Sequence, residues 1–299
     1  MLIVIILIGH SRVKAQQVIL KTGYFGKSGY RVMEGETSKE VGNSQGGAMV
    51  YQYGVHIPLS YKLDKNNQAS SWAINVGGAY AKLNNENFIK PLVIDEIMDM
   101  GVSVEHLRPL NENWSLKASV GIGLYMPSSD FSKIGLKNVL GNIGVIFIRH
   151  LKPNLDIGGG LAINNAFGYP MLFPAFYLNW RLNGKYDIKI SLTKGLDASI
   201  GYKVNEKLRL SFIAKMNGQM ALLEQNGESK IFSHMYFVTG IHPEIKINKN
   251  ISVPITVGLN VWRPAEMKDR KFTSIFKEGK EYYFRASFYT SIGFKIGLK

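Results

Sequence analysis

The sequence predicts an all-β protein, a transmembrane antiparallel up-and-down β-barrel of about fourteen strands. Three observations predict it: a long closing stretch with period-2 alternation, the return of that pattern in successive hairpins, and connections that alternate between short and long. The closing stretch, Tyr282–Lys299, places Tyr282, Phe284, Ala286, Phe288, Thr290, Ile292, Phe294, Ile296 and Leu298 on one parity. Arg285, Ser287, Tyr289, Ser291, Lys295 and Lys299 fall on the other. Successive side chains of a strand point to opposite faces, so one face is apolar and the other polar or small. A tilted strand of roughly nine to eleven residues crosses a bilayer, and this stretch is long enough. In lipid such a strand must close against the first strand to leave no open edge.

The elements follow in order. Val18–Tyr30 is a weak first strand, and the polar, Gly-containing Arg31–Gly47 is read as a loop. Met49–Leu63 alternates cleanly, turns at Asp64–Asn67 and returns through Trp72, Ile74, Val76 and Tyr80. A strand over Val93–Leu107 turns at Asn111–Asn113 into Trp114–Leu124. Val139–Leu151 turns at Lys152–Asn154 and returns through Ile157, Leu161 and Ile163. Leu172–Leu182 turns at Asn183-Gly184 into Tyr186–Leu192, and Lys194-Gly195 leads to Leu196–Val204. Asn205–Lys207 turns into Leu208–Ala214, and Phe237–Ile247 turns at Asn248–Asn250 into Ile251–Val261. The long connections are Arg31–Gly47, Lys82–Pro91, Pro127–Lys137, Leu222–Ser233 and Pro264–Glu281. Short turns at one end and longer loops at the other characterise outer-membrane barrels, and an even strand count puts both termini at the short-turn, periplasmic end. Tyr61, Trp114, Trp180, Tyr186 and Tyr202 beside short turns, with Tyr80 near the other end, outline two interfacial girdles, whereas Tyr125 and Trp262 fall on the inward parity. A soluble β-sandwich or propeller would need a second layer over these long apolar faces, and no helix or separate domain is visible to supply it.

The N-terminal MLIVIILIG run is too short to span as a helix. With the small-residue site at Val13-Lys14-Ala15 it reads as a signal peptide over residues 1–15, although no Lys or Arg precedes its apolar core. A single barrel domain over residues 16–299 follows. The formal net charge is +14 with only 19% charged residues, so the basic balance comes from few acids. The basic residues alternate into an interior and form no run, which excludes nucleic acid. Cysteine is absent, so neither a disulfide framework nor thiol chemistry is available.

No catalytic, cofactor or metal site is expected. Gly158–Gly160 lacks the following helix and GK[ST] of a phosphate loop. Glu105 and His106 point to opposite faces, and the His-x-Ser of outer-membrane phospholipases is missing. His56 and Ser60 share a parity at a spacing too long for a bond within one strand, which leaves a partner on a neighbouring strand open. The inward parity assigns Lys117, Lys189, Lys215, Arg285, Lys295, Asp95, Asp99 and Glu105 to the lumen. Asp95 and Asp99 lie about 13 Å apart along a strand, too far to share a metal or proton.

The stretch Tyr169–Phe212, with YPMLFPAFYLNW, the Asn183-Gly184 turn, SLTKGL and GYKVNEKLRLSF, resembles an uncharacterised family of Bacteroidota outer-membrane barrels, a domain of unknown function. The resemblance extends more loosely from Ala48 to the C-terminus. It implies a porin-like outer-membrane barrel of a Gram-negative bacterium and supplies no functional residues. The chain ends Gly297-Leu298-Lys299 rather than on the aromatic residue common in such barrels. Three functions stay open: a passive channel for small hydrophilic solutes with a mild anion preference, a structural or partner-binding barrel with a plugged lumen, and a lipid-modifying enzyme. The channel is the leading expectation. Its expected partners are outer-membrane lipid, the barrel-assembly machinery and small solutes.

Overall fold

The computed structural model describes residues 16–65, 68–89, 92–165, 168–182, 184–192, 195–271 and 280–298. The expected signal peptide lies outside them. The wall is built from β1 (Gln16–Glu34), β2 (Thr37–Leu63), β3 (Ala69–Glu86), β4 (Glu96–Asn111), β5 (Trp114–Met126), β6 (Val139–Lys152), β7 (Leu155–Asn164) and β8 (Met171–Leu182). It continues through β9 (Tyr186–Leu192), β10 (Leu196–Lys203), β11 (Leu208–Gln225), β12 (Glu228–Lys246), β13 (Ile251–Asp269), β14 (Glu281–Phe284) and β15 (Ser287–Leu298). From β1 to β13 each strand pairs antiparallel with its chain neighbour, β13 pairs with both β14 and β15, and β1 pairs with β14 and β15, which closes the ring. β14 and β15 are one wall strand interrupted at Arg285-Ala286, so the fifteen segments occupy fourteen positions. The expected closure of the C-terminal stretch on the first strand is met by the register Gln16↔Leu298 through Phe25↔Tyr289.

Alternation sorts the side chains as expected over most of the wall. Val120, Leu161, Ile200 and Phe288 are exposed on the outer surface, each at least half accessible. Such an apolar exterior belongs in lipid. The aromatic residues Tyr61, Trp72, Trp114, Trp180, Tyr186 and Tyr202 ring the outer surface near the short turns, with Tyr186 and Tyr202 in contact at 4.8 Å between ring centroids.

Two expected loops are strands. β1 runs to Glu34 and β2 begins at Thr37, joined by a tight turn at Gly35 (φ +59°). β11 runs to Gln225 and β12 begins at Glu228, joined at Asn226 (φ 54°) and Gly227 (φ 76°). Asn-Gly with both residues at positive φ is the signature of a type I′ hairpin turn. The polarity of these segments conceals them, because strands projecting beyond the bilayer need no apolar face. β4 starts at Glu96 rather than Val93, and β13 continues to Asp269 into the segment expected to be a loop.

Three adjacent strands carry irregularities at one level. β1 gains a residue between Phe25 and Ser28, β13 gains one at Val261-Trp262, and the last wall strand breaks at Arg285-Ala286. A bulge inverts the parity of everything beyond it. Trp262 therefore faces outward at 42% exposure, against its expected inward parity, and Arg263 turns into the lumen. Phe284 is likewise buried inside rather than on the lipid face.

Candidate functional site

The lumen divides into two halves. Nearer the short turns it is polar, and its charges are paired within a strand, between neighbouring strands or across one intervening strand. Lys117 lies 3.2 Å from Glu105, Lys189 lies 3.5 Å from Asp187, Lys215 lies 2.9 Å from Asp197 and Lys295 lies 3.0 Å from Glu244. Each of those four positive charges is offset by an acid. His56 Nδ1 meets Asn75 Oδ1 at 2.7 Å, the neighbouring-strand partner left open by the sequence. His242 Nδ1 meets Thr256 Oγ1 at 2.9 Å. His150 stands between Ser115 and Asp156: its Nε2 is 2.8 Å from Ser115 Oγ and its Nδ1 is 2.7 Å from Asp156 Oδ1.

The other half is filled with side chains. Phe25 packs against Tyr236 and Tyr289, each at 4.8 Å between ring centroids, and Tyr30 packs against Phe284 at 4.8 Å. Arg263, fully buried, lies 4.2 Å from the Phe284 ring centroid and donates to the Gly46 carbonyl oxygen at 2.6 Å. The guanidinium sits on the aromatic face as a cation–π contact. A Cβ at Gly46 would stand 2.6 Å from Phe284, so this approach requires glycine. Tyr236 Oη accepts from Gln219 Nε2 at 3.2 Å and from Gln52 Nε2 at 3.4 Å, tying β12 to β11 and, across the lumen, to β2.

The β11–β12 hairpin completes the closure. β9 and β10 are short, and the β10–β11 ladder ends at Asp197↔Lys215. Beyond that point one edge of β11 has lost its neighbouring strand, yet its polar groups must still find partners. Side chains supply them. Asn217 Oδ1 accepts from Gly218 N at 2.8 Å, Asp99 Oδ2 accepts from Met220 N at 3.2 Å, and Asn138 Nδ2 donates to the Leu222 carbonyl oxygen at 2.8 Å. Asp99 comes from β4 and Asn138 from the connection after β5, so the hairpin tip reaches across the long-loop mouth. Both faces of the tip are covered: Ala221 and Phe232 join the Phe25 cluster, while Met220, Leu222 and Ile231 pack beside Tyr125 and Leu140. Lys137 pairs with Glu224, and Arg270 donates to the carbonyl oxygens of Gly168 and Lys137, each at 3.0 Å.

Three of the expected lumen residues move under this geometry. Arg285 is exposed at the strand break, 3.7 Å from Glu40, because the break interrupts the alternation that pointed it inward. Asp95 is exposed in the connection before β4, where its backbone oxygen accepts from Leu83 N at 2.7 Å. Asp99 faces inward but serves as a strut beneath the hairpin rather than as a wall charge of an open pore. Arg263, Asn138 and Asp99's strut role are not legible from alternation alone. One signal of the β13 bulge is present in the sequence: Trp262 on the inward parity beside Arg263 on the lipid parity, two misfits that a single extra residue resolves.

If Asn138 holds the hairpin as the geometry shows, Asn138→Ala leaves the Leu222 carbonyl without its side-chain donor, a loss of about 1–3 kcal/mol where the group stays dry. Faster protease cleavage at the β11–β12 tip than in the unmodified protein is the expected readout.

Ring closure, a two-fold sorting of side chains and a polar interior define a transmembrane β-barrel of the outer-membrane type. The chain belongs to the family described as a domain of unknown function, DUF6268, whose model matches residues 11–297. No curated protein matches it. Among solved structures it is similar to the COG4313 outer membrane channel of Pseudomonas putida F1, at TM-score 0.50 and 11% identity over 97% of both chains. It is also similar to the TodX monoaromatic hydrocarbon channel, at TM-score 0.47 and 9% identity over 96% of this chain and 91% of that one. The translocator domain of the autotransporter NalP from Neisseria meningitidis aligns at TM-score 0.40 and 13% identity, over 96% and 90%.

Proposed function

We propose that the protein is an outer-membrane channel for small hydrophilic solutes, closed in the present conformation by the β11–β12 hairpin. The observation that carries this reading is how the hairpin is held. Its free edge is tied across the mouth by single side chains, Asp99 and Asn138, and not by a continuous strand ladder. The hairpin's other strand, β12, stays laddered to β13 from His234↔Ala265 to Lys230↔Asp269, so only the β11 edge is released when these side chains let go. The paired charges below it form a polar path to the short-turn mouth. Lys21, inward on β1 with its Nζ 5.8 Å from the Tyr289 ring centroid, adds positive charge to that path. Lumen Lys and Arg favour anions. The pairing of the other lysines keeps the expected preference mild, and salt screens it, since the Debye length falls to about 3 Å at 1 M.

Replacing residues Asn217–Tyr236 by a two-residue Asn-Gly turn would shorten the hairpin at the pair Met216↔Phe237. In planar bilayers the shortened barrel is expected to show sustained conductance steps where the intact protein opens rarely. Its reversal potential in a salt gradient should lie on the anion side and shift toward zero when Lys21 and Lys117 are changed together to Gln. A folded, inserted, shortened barrel without conductance would overturn the channel reading.

A second reading, a plugged barrel that binds a partner or serves a structural role, is favoured by the buried Arg263–Phe284–Phe25 cluster, which fills the lumen independently of the hairpin edge. The same conductance measurement separates the two.

A further inference from the structure

We propose that Ser115, His150 and Asp156 form a hydrolase triad at the short-turn mouth of the lumen, acting on small water-soluble carboxylic esters. The three residues come from the adjacent strands β5, β6 and β7, each beside a short turn and each turned inward. The β6–β7 register sets His150 directly opposite Asp156, and His150 N donates to the Asn113 carbonyl oxygen at 2.8 Å, which brings the ring to the level of Ser115. The two ring nitrogens are used in the sense that nucleophilic catalysis requires. Nε2 faces the Ser115 hydroxyl at 2.8 Å, and Nδ1 faces the Asp156 carboxylate at 2.7 Å. A carboxylate at Nδ1 fixes the tautomer whose Nε2 lone pair can accept the serine proton, and it stabilises the imidazolium that results. Asp156 is itself oriented through its other oxygen, by Asn179 Nδ2 at 3.5 Å and Arg181 at 3.8 Å.

The reaction then runs in two balanced halves. Ser115 Oγ bonds to the ester carbonyl carbon while His150 Nε2 takes its proton. The C–O bond to the leaving alcohol breaks, and His150 returns that proton to the departing oxygen. Water, deprotonated by the same nitrogen, attacks the acyl-serine and releases the carboxylic acid and the free serine. No oxidant, metal or cofactor enters. Ser115 is only 4% exposed, whereas the His150 side chain is 31% exposed, so a substrate approaches over the imidazole and has to be small. The triad lies on the lumen parity, away from the lipid face, so it is reached from water rather than from a bilayer acyl chain. This activity is separate from conduction and does not depend on whether the hairpin opens.

The test is covalent labelling of the folded, full-length barrel with diisopropyl fluorophosphate, with the site mapped by mass spectrometry and folding followed by heat-modifiable gel migration. One adduct is expected, at Ser115. Ser115→Ala should abolish it, and His150→Gln should slow it roughly 10²-fold or more, the usual size of a general-base contribution. Asp156→Asn should slow it too, because the amide donates toward Nδ1 and favours the wrong tautomer. Ser119→Ala, another inward serine of β5, should leave it unchanged. Hydrolysis of p-nitrophenyl acetate should follow the same order. A folded, unmodified protein that stays unlabelled at Ser115 overturns the proposal, whatever the variants do. Labelling at an equal rate in folded His150→Gln overturns it as well, since a merely structural network would leave the serine unactivated.

Discussion

Deletion of Tyr282–Lys299 is expected to abolish the folded protein in the membrane. Those residues carry β14, except for its first residue, together with all of β15, which pairs with β1 from Gln16↔Leu298 to Phe25↔Tyr289 and with β13 from Ile251↔Ile296 to Asn260↔Ser287. Removing them exposes two rows of backbone N–H and C=O groups to hydrocarbon, where each unsatisfied group costs several kcal/mol. No neighbouring strand can rescue both edges, because β1 and β13 would have to meet across the width of a missing strand while keeping their other partners. The loss also strips Phe284 from Arg263 and Tyr289 from Phe25, so the inner cluster that braces this side of the wall goes with the seam. The shortened chain should show no heat-modifiable band after refolding into detergent or vesicles and should be degraded in cells. A compact, heat-resistant species would mean that the ring closes elsewhere.

The second large effect concerns the outer surface. Val120 lies in the middle of β5, is 56% exposed and faces outward between Ala118 and Ile122. Val120→Arg should cost roughly 2–4 kcal/mol in folding into a bilayer, the range for a cation at the midplane of a barrel's lipid face. Its sequence neighbour Ser119 points into the polar half of the lumen, so Ser119→Arg should cost much less. The comparison holds position along the strand nearly constant and changes only the side of the wall. Urea titration of both variants in vesicles measures it, and equal costs would sink the assignment of faces. Thr256, on the same inward parity, is a poor control despite its parity, being 1% exposed and bonded to His242. A large side chain there would meet packed wall rather than open lumen.

How far the molecule could be read from its residues follows from which forces are local. Alternation is local: each strand declares its apolar face over a few positions, and Asn, Lys and Glu turns declare their ends. Barrel class, strand number and the seam between the two ends of the chain are therefore legible. The failures cluster where one residue changes parity or where polarity hides a strand. Nothing local marks the break after Phe284, so alternation points Arg285 into the lumen, and alternation gives no sign that the β13 bulge turns Arg263 inward. Asn226-Gly227 did carry a hairpin signal, and the polar residues around it masked the strands it joins.

The sequence by itself determined that this chain closes into a membrane barrel, since no other arrangement satisfies the backbone of so many long, one-sided strands in lipid. Only the tertiary structure decided what the interior is. How the lumen is filled depends on bulges lining up across β1, β13 and the last strand and on short β9 and β10 leaving an edge of β11 to be satisfied by Asp99 and Asn138; separately, Ser115, His150 and Asp156 meet across three strands at the short-turn mouth. These are contacts between residues far apart in the chain or offset by register, and a period of two along one strand carries no information about them.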